Sequence, residues 1–590
     1  MADEGLGLWA RGGRASGNSG LLLSRVVRHG ATTYPNVAAR NAFSARGALL
    51  CRDDGRYNRR VRVVALVMTV SVLSGCRPRE PIEAVAVPSG PVVAGESPGP
   101  SPLRRLTKQQ YENTLRDVFD VEVAEHLPDE AVVGGFEGAA EAQLPSELFV
   151  SRAQRSAQRY AEAVVSDPAR LRRALQCDDW TQASSQARCL ARFFQTTARR
   201  LYRRALTEDE LARLSADVAK WTSDLDFVGA VQLLLEQMLQ APAFLYRPEP
   251  GPRLDGFQLA TRLSFLLWDS GPDEALLERA QAGALTTRED VRAEASRMLA
   301  DPRARRTMWS FHRQWLGLER LMLEEHAVRT PEVDPQWTAL TPLAAQDETR
   351  RFVEAVMTEE GTLGALLMSR RAWLDAETAR LYGVTSVGET VLDSTRRAGV
   401  LTRVAFLAST AHRGATSPPI RGNAINLKLL CRMPTPPPPG IDTTPPSKPA
   451  GQKRTTRELF EDRTRPTSCA GCHHALNGLG FGFEHYDAAG HWRALEDGLA
   501  IDATGETPAL EGSFDGAIEL SSRLASSREV QRCATSMWAR YALGRAPVPV
   551  EEPWLNATAE RFVQSDGDVK GLLLDLVSSP SFLALPVATP

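Results

Sequence analysis

The sequence predicts a mainly α fold built as successive small helical modules, and three observations carry that prediction. Apolar residues recur at three- and four-residue spacing in stretch after stretch from residue 103 onward. Residues that cap helix N-termini stand where several of those stretches begin. Regular period-two alternation is scarce, which leaves sheet a minor part.

The elements follow in order. In LTKQQYENTLRDVF, residues 106–119, Leu106, Tyr111, Leu115, Val118 and Phe119 form one apolar stripe, and Thr107 is placed to cap it. Residues 193–211 carry a second cap at Thr207 with Glu210 three positions on, the pattern of a capping box. Across residues 227–244, Val231, Leu234, Leu235, Met238 and Leu239 are spaced for a buried helical face. Residues 255–267, 274–280, 288–299 and 303–316 continue in kind, and 528–543 reads as another helix. One stretch breaks the pattern. The run PTPPPP at 434–439 must be polyproline II, because proline has no amide proton and clashes inside a helix; it is expected as a stiff covering loop.

Length and charge bound the function. A chain of 590 residues implies three to five domains. Seventy cationic residues balance 72 acidic ones for a net charge of −2, so no basic excess argues for nucleic acid. No apolar run approaches the ~20 residues of a membrane-spanning helix. The front end reads as an address. Arg59, Arg60 and Arg62 precede the apolar stretch 63–73, and Leu73-Ser74-Gly75-Cys76 follows as a lipobox in which Cys76 is the lipidated residue. Residues 59–76 are therefore expected to be a lipoprotein signal, 1–58 a spurious or unfolded leader, and 77–102 a flexible tether. This address implies an exported protein held by a lipid anchor, with the outer membrane, facing the periplasm or cell surface, as its expected location.

The chemistry lies in Cys469-Ala-Gly-Cys472-His473. Two cysteines three apart and an immediate histidine make the c-type haem attachment signature: both thiols add across porphyrin vinyl groups, and the imidazole reaches the iron. Given 8 Cys and 9 His in the chain, about 0.002 such strings are expected by chance. A structural zinc site would want two more ligands at short spacing, with only His474, His485 and His491 near. A redox CxxC would not need the histidine. The expected cofactor is one haem c with its iron, in a cytochrome-c-like haem module near the C-terminus. With Cys51 in the leader, Cys177, Cys189, Cys431 and Cys533 remain, an even number in an oxidising compartment. Three pairings are possible; the local pair Cys177–Cys189 with the long pair Cys431–Cys533 is the natural one.

At these residues a resemblance enters. Besides LTKQQYENTLRDVF, the chain carries ARRLYRRALTEDEL (198–211), QAPAFLYRPE (240–249), LATRLSFLLWDSGPDEALL (259–277) and FHRQWLGL (311–318). TSPPIRG (416–422), CAGCHHALNGLGFGFEHYDAAGHWR (469–493) and RYALGR (540–545) follow. Over residues 103–585 it resembles the planctomycete-cytochrome family of exported proteins, made of consecutive domains of unknown function. The resemblance implies a helical haem-c protein and supplies no substrate. It also implies modules at 103–170, 177–235, 238–385, 395–495 (the haem module) and 508–585, and it strengthens the Cys431–Cys533 pair.

Gly478, Gly480 and Gly482 alternate with Leu479, Phe481 and Phe483; no strand-to-helix context makes this a phosphate loop, so no nucleotide is expected. The glycines are expected to bring backbone onto the porphyrin and the aromatics to cover it. Glu484 and Asp487 are expected as caps and salt links to Arg493, and His312 as a packed core residue. Met537 is the first candidate for a sixth iron ligand, four residues after Cys533 on one helical face; His485, His491, His412 and Met433 are the others. The expected function is one-electron transfer by an exported lipoprotein with an unknown redox partner, the haem lying in a largely water-excluding pocket. A peroxidase-like or oxygenase-like oxidoreductase and a surface binding protein with structural or sensory haem are the alternatives.

Overall fold

The computed structural model describes residues 98–585 apart from 251–252, 324–333, 435–439 and 441–443. The expected leader 1–58, the signal 59–76 with Cys76, nearly all of the tether and most of the proline run lie outside the described residues. The fold is mainly α. Among the described residues, sheet is confined to four antiparallel pairs of short strands: β1 (Arg104–Arg105) with β2 (Tyr246–Arg247), β3 (Arg371–Leu374) with β4 (Gly388–Val391), β5 (Leu495–Glu496) with β6 (Leu499–Ala500), and β7 (Thr504–Thr507) with β8 (Leu510–Asp515).

The helices form where the local signals place them. Helix α1 (Lys108–Phe119) opens on a capping box in which Thr107 accepts from the Gln110 amide, and it buries Tyr111, Leu115, Val118 and Phe119. The Thr207–Glu210 capping box starts the helix Glu208–Asp224 in the same way. Helix α2 (Glu147–Val165) lays Ala153, Ala157 and Tyr160 against α3 (Phe227–Gln240), whose Val231, Leu234, Leu235 and Met238 are fully buried. The expected modules 103–170 and 177–235 thus share a single core. A second core gathers residues of α4 (Gly256–Leu267) and their neighbours up to Met298 with Val577 and Phe582 from the far end of the chain. A third and largest core joins α5 (Ala304–Leu316), α6 (Thr341–Glu359), α7 (Pro418–Lys428) and α10 (Arg528–Leu543). Cores are shared across module boundaries because each helix pair has more apolar surface than it can bury alone.

His312 on α5 shows what this burial does to a titratable group. Its ring lies beside Phe311, Trp315 and Trp538, only 1% exposed, with Nδ1 2.7 Å from the Met308 carbonyl oxygen. Burial pushes its pKa from 6.5 down to about 4. The unfolded chain therefore takes up the proton first as pH falls. Stability is complete above pH ~6.5 and is lost progressively down to pH ~4, by about 3 kcal/mol from this group. In urea titrations at pH 7 and pH 4.5, His312→Phe is expected to lose less stability on acidification than the native chain.

Candidate haem-attachment site

Helix α9 (Thr467–Phe481) starts after Pro466 and carries the whole attachment string in its first two turns. Cys469, Cys472 and His473 stand at i, i+3 and i+4, so the helix sets them on one face. Neither thiol is in a disulfide; Cys472 is exposed and Cys469 half-buried. The other two cysteine pairs are joined, Cys177 to Cys189 and Cys431 to Cys533.

A directional hydrogen-bond chain fixes the tautomer of His473. The Phe460 carbonyl at the end of α8 (Thr456–Thr464) can only accept, so the Thr464 hydroxyl donates to it, at 2.7 Å. Thr464 Oγ1 in turn accepts from Asn477 Nδ2 at 3.1 Å, which turns Asn477 Oδ1 towards His473 Nδ1, 3.2 Å away. The imidazole thereby carries its proton on Nδ1 and offers the Nε2 lone pair. Asn477 and Thr464 were not singled out from sequence; the i+4 offset from His473 was the available signal for Asn477, and nothing local pointed to Thr464.

His473 borders a cavity of about 380 Å³ shared with His474, Asn477, Phe481, Arg457, Arg465 and Glu506. Its wall is part polar and part apolar and opens to solvent. The glycine expectation is corrected. A Cβ on Gly480 would lie 1.9 Å from the Pro418 carbonyl oxygen, one on Gly422 1.7 Å from that of Leu476, and one on Gly478 2.0 Å from that of Glu506. These glycines let α9 cross α7 and touch β7 at backbone distance; Leu479 and Phe483 enter the large core, and Arg457 covers the Phe481 ring at 4.5 Å.

The turn after α9 locks onto α7. Arg421 donates to the carbonyls of Phe483, Tyr486 and Asp487 at 2.8–2.9 Å. Glu484, 2% exposed, accepts from Thr416 Oγ1 at 3.0 Å and faces Arg421 at 3.9 Å and Arg493 at 3.5 Å. Burial raises its carboxyl pKa, partly opposed by those two guanidiniums. Asp487 Oδ1 accepts from the amides of Ala489 and His491. The pair is structural, as caps and salt links.

None of the sixth-ligand candidates borders the His473 cavity. Met537 is half-buried on α10 and packs against the large core. The Cys431–Cys533 bridge does hold α10 to the chain leaving α7, but nine residues beyond the Gly422 crossing with α9. His485 points Nδ1 at the Arg493 carbonyl, 3.0 Å away, and stacks on Trp492; His491 meets Asp334 at 3.2 Å. Met433 is 87% exposed, and His412 is half-buried in its loop.

Two unpaired thiols and an imidazole with a free Nε2, on one helical face, fit a group that would be attached through both thiols and would bind its iron through the imidazole.

Fold and site together define a class: a helical multi-module protein with a CxxCH-bearing module near its C-terminal end. Five family models match in succession, each described as a protein of unknown function: DUF1587 at 104–166, DUF1595 at 189–249, DUF1592 at 254–384, DUF1588 at 397–496 and DUF1585 at 511–582. The chain belongs to the planctomycete-cytochrome-like family of multi-module proteins that this succession defines. No curated protein and no solved structure matches it.

Proposed function

We propose that the chain is an exported lipoprotein that carries one covalent haem c on Cys469, Cys472 and His473 and passes single electrons to and from a redox partner. The observation that carries this reading is the hydrogen-bond chain Phe460–Thr464–Asn477–His473, which presents Nε2 beside two unpaired thiols. When bound, haem c supplies the Fe(II)/Fe(III) couple. His473 would bind its iron, while Asn477 holds the imidazole's orientation and its Nδ1 proton. The open cavity with Arg457, Arg465 and His474 favours a second reading, peroxidase-like or oxygenase-like, since a small polar molecule can reach His473's side of the helix.

The test is a reduced-minus-oxidised spectrum of protein made in a host that matures c-type cytochromes. A c-type α-band supports the proposal, and its absence overturns it. Asn477→Leu is expected to keep the covalent haem and to raise the midpoint potential, because losing the Nδ1 acceptor weakens the iron–imidazole bond, by about 10- to 100-fold in ligand affinity; a redox titration reads this. We place the anchor at Cys76, the expected lipidated residue; among the described residues no helix is long and apolar enough to cross a membrane. Cys76→Ser is expected to move the protein from the membrane fraction to the soluble fraction.

A further inference from the structure

A second cavity, of about 140 Å³, lies where six stretches of chain meet, and no residue of α9 borders it. Its wall takes Arg104 and Gln110 from β1 and α1, Arg247 from β2, Asp269 from the turn after α4, and Arg540 and Tyr541 from α10. Phe136, Phe265 and Leu266 supply the apolar sides. Five of the stretches fall in strings through which the chain resembles its family, LTKQQYENTLRDVF with its preceding strand, QAPAFLYRPE, LATRLSFLLWDSGPDEALL, FHRQWLGL through Gln314, and RYALGR; residues 133–141 complete the wall.

Two ionisable side chains in this wall are only partly satisfied. Arg247 is 7% exposed, its Nε has no hydrogen-bond partner, and its guanidinium lies over the Phe265 ring at 4.9 Å, with Glu249 and Asp269 as its attracting charges. Asp269 is 2% exposed; Gln110 shares a hydrogen bond with its carboxyl, but Oδ2 has no partner, and burial raises the carboxyl pKa to about 7. The turn that holds it is firmly built. Asp269 takes a left-handed φ of 52°, which Asp and Asn tolerate best among non-glycine residues. Asn113 donates to the Asp269 carbonyl at 2.9 Å, and the Gly271 amide donates to Thr114 Oγ1 at 3.0 Å. The carboxylate is therefore held in place beside the cavity, as Arg247 is by the β1–β2 pair. Arg104 and Arg540 add positive charge, with Arg540 Nε also unpartnered, while Arg545 is neutralised by Glu551 at 2.7 Å. Buried polar groups this incomplete are costly unless a guest completes them.

We infer that this cavity binds a small organic acid that carries a hydroxyl or ammonium group next to its carboxylate. The carboxylate meets the Arg247 guanidinium, which suits it as a two-pronged donor, and the neighbouring O–H or N–H donates to Asp269 Oδ2. The volume is below the ~300 Å³ of sites for drug-sized ligands, which restricts the guest to two or three carbons. Asp269 disfavours an inorganic polyanion, and the apolar sides favour a carbon skeleton over water alone.

The test is calorimetric titration of the full chain with glycolate and with glycine, beside acetate and inorganic phosphate. Saturable binding of glycolate or glycine at about millimolar concentration or below is expected, with acetate about tenfold weaker for want of the second group. Arg247→Met, which fills the same space without charge, is expected to abolish binding with circular dichroism and thermal midpoint unchanged. Should that variant fold poorly, Arg247→Lys keeps the charge, loses the two-pronged contact and is expected to bind about tenfold more weakly. Asp269→Asn keeps the left-handed turn and is expected to weaken glycine more than glycolate, which separates an ammonium guest from a hydroxyl guest. No binding by any probe, a preference for phosphate, or unchanged affinity in a folded Arg247 variant would overturn the inference.

Discussion

Replacing both Cys469 and Cys472 by alanine is expected to remove all haem that survives denaturing electrophoresis. The expected effect is total because thioether bonds are the only covalent link, and each needs a free thiol on the face His473 shares. Both thiols are unpaired, so neither replacement breaks a cross-link of the fold. Alanine is the best helix former, and both positions lie in the first two turns of α9, where Cys472 is exposed. Helical content should therefore stay at the native value while peroxidase staining of the denatured band disappears. Each single variant keeps one thiol and is expected to keep some stain. A double variant that stains like the native chain would mean that the haem, if any, is held elsewhere.

Removing the Cys431–Cys533 bridge is expected to cost about 4–5 kcal/mol of stability, because it closes a loop with a sequence separation of 102 residues and so restricts the unfolded chain strongly. The local Cys177–Cys189 bridge, with a separation of 12, is expected to contribute about 3 kcal/mol. Denaturant titrations of Cys431→Ala/Cys533→Ala against the native chain, both without reductant, measure the first value directly. A midpoint within error of the native one would show that packing of α10 against the large core suffices without the bridge. The Lys428 carbonyl, 2.6 Å from the Trp315 indole nitrogen and 3.5 Å from Cys533 Sγ, shows how closely α5, α7 and α10 converge at this point.

Much of the secondary structure was legible because its causes are local. The Thr107 and Thr207 caps, the apolar stripe of α3 and the full extent of α10 at 528–543 are interactions within about four residues along the chain, and a sequence displays these directly. The same holds for the face that unites Cys469, Cys472 and His473. His312 was read rightly as a packed core residue because its neighbours on the helix are apolar at core spacing. The glycines near 480 were misassigned for the opposite reason: what a missing Cβ makes room for is decided by the partner that approaches. Here those partners are the Pro418 and Glu506 carbonyls, from α7 and β7.

By itself, then, the sequence determined the helical class, the caps, the attachment string and the pairing of its cysteines by count and family likeness. Tertiary structure alone decided the rest. It brought Thr464 from α8 to the Asn477 amide and so set the proton of His473. It packed the half-buried Met537 against the large core and not on the wall of the His473 cavity. It also gathered Arg247, Asp269 and Arg540 around a cavity that no window of sequence contains. The physical reason is common to all three. Capping and periodicity act between neighbours a few residues apart, whereas a side chain's partner across a cavity depends on how whole helices pack, and that follows from the burial of many apolar residues at once.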